Sequence, residues 1–196
     1  MKVLSEEEGA AAVALAREAL EAAVRNGKFC LPSLPPVFGE KRGVFVTLTV
    51  GGELRGCIGL PYPVMPLGQA IREAAASAAL QDPRFPPVMP GELPKIRVEV
   101  TVLSVPAPLS GPPKERDTCV RVGTHGLIAQ GYGRSGLLLP QVAVEWNWDR
   151  EQFLEETCWK AGLPGDAWRH GAKMQAFTAQ VFSEPAAAAT LSQRVA

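Results

Sequence analysis

No run of about 18 apolar residues occurs in this chain, so no membrane-spanning helix is expected. Neither sign of charge is in surplus: 20 Lys and Arg face 20 Asp and Glu. That balance argues against a general nucleic-acid or anionic-membrane binder, which needs a basic excess, although a local basic patch stays open. Histidine is scarce, with only His125 and His170. Cysteine is sparse and scattered, at 30, 57, 119 and 158, with no CxxC pair. No candidate ligands stand at zinc-finger spacing, so no structural metal is expected; a mixed site of Cys57, His125 and an acid is the one metal reading left open. Walker A, HExxH and GxSxG sequences are missing as well, and no cofactor is expected. The opening MKVLSEEEGAAAVALAREAL lacks the charge order of a secretory signal. With unpaired thiols, that points to a reducing cytoplasm.

What is present suits an α+β fold. The 196 residues are 46 % apolar, enough for one ordinary domain or two joined lobes. Residues 5–26 read as an amphipathic helix, with Ser5 and Glu8 as a capping box. GVFVTLTV and ELRGCI read as a hairpin around Gly51-Gly52. In an unbroken two-residue hairpin Val50 pairs with Glu53, Leu48 with Arg55 and Val46 with Cys57, which places Cys57 on the aliphatic face; a bulge at the glycines would shift this. Pro66 is expected to open a helix whose buried stripe is Leu67, Ala70, Ile71, Ala74 and Ala78. A strand follows near 96–105. PAPLSGPPKERD, 106–117, reads as a linker between lobes. Beyond it CVRVG, GLIAQ and GLLLP read as short strands, Asp149 and Gln152 begin a helix that Gly162 ends, and KMQAFTAQVFSE reads as a last strand. Residues 185–196 are expected to be a mobile tail.

Several residues invite a chemical reading, each beside a plainer one. Cys57 sits between Gly56 and Gly59. Arg55 could lower its pKa, and backbone N–H groups could bind an oxyanion; equally, a free cysteine is often a small buried hydrophobe. His125, in VGTHG, could be a general base or a turn residue. Asp82 and Arg84, in DPRF, could clamp an anion or could fix the loop as an ion pair. Gln141 could orient a ligand or bond nearby backbone. Trp146, Trp148, Trp159 and Trp168 suit packing better than a base-stacking platform, which needs a basic groove. Residues 131–136 match GxGxxG by letters, but no helix begins there and the glycines read as a hairpin turn.

GVFVTL, LRGCIG, DPRFPPV, EVTVLS, VGTHGLI, GLLLPQVA, FLEETCWKAGL and FTAQVFSE, in this order, resemble the AMMECR domain family over about residues 5–184. The resemblance implies a single AMMECR-type domain of two associated lobes, mostly antiparallel, with flanking helices and LRGCIG lining a cleft between them. The lobes are expected near 28–105 and 114–184, with the helix 5–26 in front. It marks Arg55, Gly56, Cys57, Gly59, Asp82, Arg84, His125 and Gln141 as positions of interest without giving them roles. It also implies a link to radical SAM and Memo-like proteins, as component A of an AmmeMemoRadiSam system. Three functions follow as expectations. The first is an enzyme or enzyme component in which Cys57, Arg55 and His125 act on a small polar or anionic substrate, with Gly56, Gly59, Asp82, Arg84 and Gln141 binding it. The second is a protein-binding module, and the third, against the charge balance, a nucleic-acid-binding regulator.

Overall fold

The computed structural model describes residues 3–185; apart from Pro185, the expected tail lies outside the described residues. Local sequence chemistry sets the helices. Ser5 accepts from the Glu8 N–H at 3.2 Å while the Glu8 carboxylate accepts from the Ser5 N–H at 2.9 Å. This reciprocal cap satisfies two helix-end donors and starts α1 (Glu6–Val24). Pro66 stands at the N-cap of α2 (Leu67–Leu80), and the expected stripe of Leu67, Ala70, Ile71, Ala74 and Ala78 is buried.

In chain order the strands are β1 (Val44–Val50), β2 (Glu53–Leu60), β3 (Ile96–Leu103), β4 (Ala107–Pro108), β5 (Gly126–Gly131), β6 (Arg134–Leu138), β7 (Lys173–Phe177) and β8 (Ala179–Ser183). Two further helices, α3 (Pro140–Glu145) and α4 (Arg150–Lys160), lie between β6 and β7. The strands form two four-stranded sheets, in the orders β2-β1-β3-β8 and β4-β7-β5-β6, with every pairing antiparallel.

Alternation along the strands builds three cores. One face of the first sheet, with Val44, Val46, Leu48, Val98, Val100 and Val102, packs with α1 and α2. In the second sheet Leu127, Ala129 and Met174 pack with Phe153, Leu154 and Cys158 of α4. Between the lobes, buried Leu103, Ile128 and Phe177 meet Phe45, Tyr62, Leu137 and Leu139. At about 1.5–3 kcal/mol per large side chain removed from water, these cores are the main stabilising contribution.

Several elements differ from expectation. KMQAFTAQVFSE is two strands, not one: β7 belongs to the second sheet, the chain turns at Thr178, and β8 returns to pair with β3. The stretch 114–184 therefore does not form a lobe by itself, because its last strand completes the first sheet. CVRVG forms no strand; a 3-10 helical turn over Pro113–Cys119 runs into a turn at 122–124. Part of the supposed linker is structural, since β4 pairs with β7 and Leu109 behind it is buried. Pro140 opens α3, where its missing N–H costs no helical bond. The GxGxxG segment is the β5–β6 hairpin, turning at Tyr132-Gly133 with φ of 50° and 74°.

Candidate functional site

The register of β2 decides where the LRGCIG side chains point. Val50 pairs with Glu53 and Thr49 with Leu54, but Leu48 pairs with Gly56 and Thr47 with Cys57. Arg55 is the extra residue of a β-bulge, which reverses the faces of everything after it. The unbulged pairing of Leu48 with Arg55 and Val46 with Cys57 is thus corrected. Gly56, not Cys57, lies on the aliphatic face. A Cβ at Gly56 would stand 2.2 Å from the Ala78 carbonyl oxygen, so the missing side chain lets α2 lie against the strand. Gly59 seats the Phe45 ring, whose nearest atom would be 2.1 Å from an added Cβ. Both glycines meet packing demands of the protein itself.

Cys57 is half-buried on the opposite face, the one that carries Phe45 into the inter-lobe core. The Thr47 hydroxyl donates to its sulfur at 3.4 Å. Along the same cross-strand row stand Glu99 and Ser183, whose hydroxyl donates to the Glu99 carboxylate at 2.9 Å. The row Cys57–Thr47–Glu99–Ser183 is a polar band one step beyond the inter-lobe contact.

β2 is an edge strand, and side chains complete its outer edge. The Cys57 N–H donates to Asp82 Oδ2 at 2.8 Å, and Arg84 Nη2 donates to the Cys57 carbonyl at 3.1 Å. Arg84 also holds both Asp82 oxygens, through Nε at 2.9 Å and Nη2 at 2.7 Å. The Asp82 carboxylate is buried, yet the Arg84 hydrogen bonds, helped by the Cys57 and Arg84 N–H groups, hold its titration well below the usual carboxylate range. The pair therefore satisfies the strand edge as a neighbouring strand would. Arg84 remains 54 % exposed, its guanidinium lying over the Phe85 ring, and can present a charge-assisted donor to a ligand.

Arg55 is committed elsewhere. Its guanidinium makes a two-pronged pair with Glu92, at 2.8 and 3.1 Å. Glu92 also accepts from the Met89 N–H, and Arg55 together with that N–H keeps the Glu92 carboxyl below its ordinary value. Among the described residues no hydrogen bond joins this pair to the Cys57 sulfur. His125 faces a cavity of about 400 Å³ shared with Cys119. Its Nδ1 accepts from the Arg121 N–H at 3.3 Å, and burial together with the Arg121 charge pushes the imidazole toward its neutral form. Gln141 lines a different cavity, of about 590 Å³, beside Val144 and Val181.

Of the residues singled out by sequence, the structure brings together Cys57, Asp82 and Arg84, with Gly56 and Gly59 in the same strand. Thr47, Glu99, Ser183 and Glu92 went unmarked. Only the bulge pairs Thr47 with Cys57, and nothing in the sequence pointed to the other three. Among the described residues no group of three or more His, Cys, Asp or Glu is placed to hold a metal, and no helix is long and apolar enough to cross a membrane.

Residues 13–182 match the AMMECR1 family model. A protein of Thermococcus gammatolerans is 51 % identical over 189 residues, covering 92 % of each chain. One from Methanosarcina acetivorans is 53 % identical over 188 residues, covering 93 % of this chain and 94 % of its own. The crystal structure of an uncharacterized protein from Pyrococcus horikoshii superposes with a TM-score of 0.84 at 49 % identity, covering 92 % of this chain and 93 % of that one.

Proposed function

The chain belongs to the AMMECR1 family, and from that premise we propose that it is an enzyme or enzyme component whose working group is the Cys57 thiol. One observation carries the reading: the peptide of Cys57 is pinned on its outer edge by Asp82 and Arg84 while the half-buried sulfur receives a hydroxyl donor from Thr47. A group held this rigidly is preorganised, as a nucleophile or thiol carrier needs to be. The substrate class is small and polar or anionic. It lies over the polar row beyond the inter-lobe core, and the exposed guanidinium of Arg84 offers it a charge-assisted donor. His125 has no part in this site, since it lines another cavity; the thiol proton passes to solvent. The radical SAM and Memo-like proteins are, on this reading, suppliers or acceptors of the substrate, in a reducing cytoplasm.

The test is native-state alkylation with iodoacetamide, followed by peptide mapping, and complementation with Cys57→Ser in a host lacking the gene. We expect Cys57 to be labelled while Cys158 is spared, since Cys158 is fully buried and burial pushes its thiol pKa up. We also expect Cys57→Ser to lose function with an unchanged melting curve. Full function in Cys57→Ser, or no labelling of the folded protein, overturns the proposal.

A second reading, a module that docks partner proteins, draws on the Trp146 and Trp148 rings. These stack at 6.1 Å between centroids, and Trp146 is 68 % exposed. It expects Trp146→Ala to abolish function and Cys57→Ser to preserve it.

A further inference from the structure

The chain crosses between the two sheets twice, from β3 to β4 and from β7 to β8, and the crossings are bonded to each other. The Ser104 N–H donates to the Thr178 carbonyl at 2.9 Å, and the Thr178 N–H donates to Ser104 Oγ at 2.9 Å. Beside this junction lies the cavity of about 400 Å³. Pro108, Leu109 and Phe177 give it apolar walls, and Ser104, Cys119 and His125 place polar groups around them.

We propose that this cavity is a second ligand site, separate from the Cys57 face, for a small molecule with an apolar body and one hydrogen-bond acceptor. Its volume lies in the range of small-molecule pockets, roughly 300–1,000 Å³, and its make-up of mainly apolar lining with a few convergent polar groups is the usual one. Its place at a junction between two lobes is also where such sites concentrate. The chemistry of the polar end follows from His125. Nδ1 accepts from the Arg121 N–H, which puts the hydrogen of the neutral ring on Nε2, while the Cys119 carbonyl beside the ring works against that neutral form. The imidazole therefore offers a donor, not a base, and selects an acceptor such as a carbonyl. Cys119 reports on occupancy: it lines the cavity, and its S–H donates at 3.3 Å to the carbonyl of Ser110, another lining residue.

The experiment uses that thiol on the unaltered protein. Cys119 is labelled with N-phenylmaleimide and with N-methylmaleimide, and exposed Cys30 serves as the internal control. The phenyl reagent has the apolar body and carbonyl acceptors that the site should hold before the sulfur adds across the ring double bond. Expected is a Cys119 rate that saturates with N-phenylmaleimide concentration, and a phenyl-over-methyl preference about tenfold above that of Cys30. The unreactive N-phenylsuccinimide should slow Cys119 and leave Cys30 unchanged. A rate that stays linear, or one that N-phenylsuccinimide does not slow, overturns the assignment. Ala176→Leu, which narrows the cavity, should remove both effects; the competition on the unaltered protein decides the matter if that variant does not fold. Because peptide mapping reads each cysteine separately, this result is independent of what Cys57 does.

Discussion

At Cys57 the outward N–H and C=O of an edge strand are satisfied by an aspartate and an arginine two residues apart in DPRF. Removing the carboxylate charge should therefore act through the strand. Asp82→Asn is expected to lower stability by about 2 kcal/mol in urea unfolding at pH 7, the scale of a charged hydrogen bond lost. The pH dependence has a definite sign. Arg84 holds the folded carboxyl below the value of ~3.9 that it takes in the unfolded chain. Its contribution is complete above about pH 5 and is lost as pH falls toward strong acid. The advantage of wild type over Asp82→Asn should thus shrink between pH 7 and pH 3; an advantage that grew on acidification would contradict this account. The two glycines give a second contrast. Gly56→Ala drives a methyl into a carbonyl oxygen of α2, which is backbone, and should cost about 3 kcal/mol. Gly59→Ala meets the Phe45 ring, which can turn aside, and should cost about 1–2 kcal/mol. Equal losses in urea titration would contradict the difference in neighbours.

Between elements, Arg17 ties α1 to the end of the first sheet. From α1 its Nε and Nη2 reach both Glu184 oxygens, at 2.8 and 2.6 Å, and it also donates to the Leu93 and Ile96 carbonyls. Glu184 in turn accepts from the Val98 N–H at 2.8 Å. Burial works against the Glu184 charge, but Arg17 and that N–H bring its titration below the ordinary value. Arg17→Met should cost about 3 kcal/mol, because it leaves a half-buried carboxylate without its cation. Arg72→Met, which breaks an exposed pair with Glu73, should change stability by less than about 1 kcal/mol. Similar melting shifts for the two variants would contradict the assignment.

What the sequence revealed at this scale follows from how local each signal is. Both capping boxes, at Ser5 and Asp149, were readable because cap and partner lie three residues apart. The end of α4 was readable too: Gly162 adopts φ +71° and the Leu163 N–H bonds the Cys158 carbonyl at 2.9 Å. Misread places depended on distant partners. The bulge at Arg55 reflects Ala78 and Glu92, neither adjacent in sequence. The break at Thr178 carries no glycine or proline; it exists because β3 and β5 accept successive segments of one continuous strand pattern. The grouping of Cys57, Asp82 and Arg84 was legible only as neighbouring motifs, while the parting of His125 from Cys57 needed the sheet order.

For the whole molecule, the return of β8 means that neither lobe is a contiguous piece of chain. A fragment of residues 3–105 lacks the strand that covers β3 and the Glu184 anchor for α1. It should show no cooperative melting transition by circular dichroism, whereas the intact chain should melt through one. A fragment that melted as sharply as the intact protein would show that β8 is dispensable.

That same return has a consequence during synthesis. About 75 residues separate the end of β3 from the start of β8, and ribosomes adding 5–20 residues per second take roughly 4–15 s to make them. Throughout that interval the nascent β3 shows an unpaired row of N–H and C=O groups, flanked by Val98, Val100 and Val102, to every other chain in the cell. Newly made protein should therefore depend on chaperones, or on slow expression at low temperature, far more than the finished fold does.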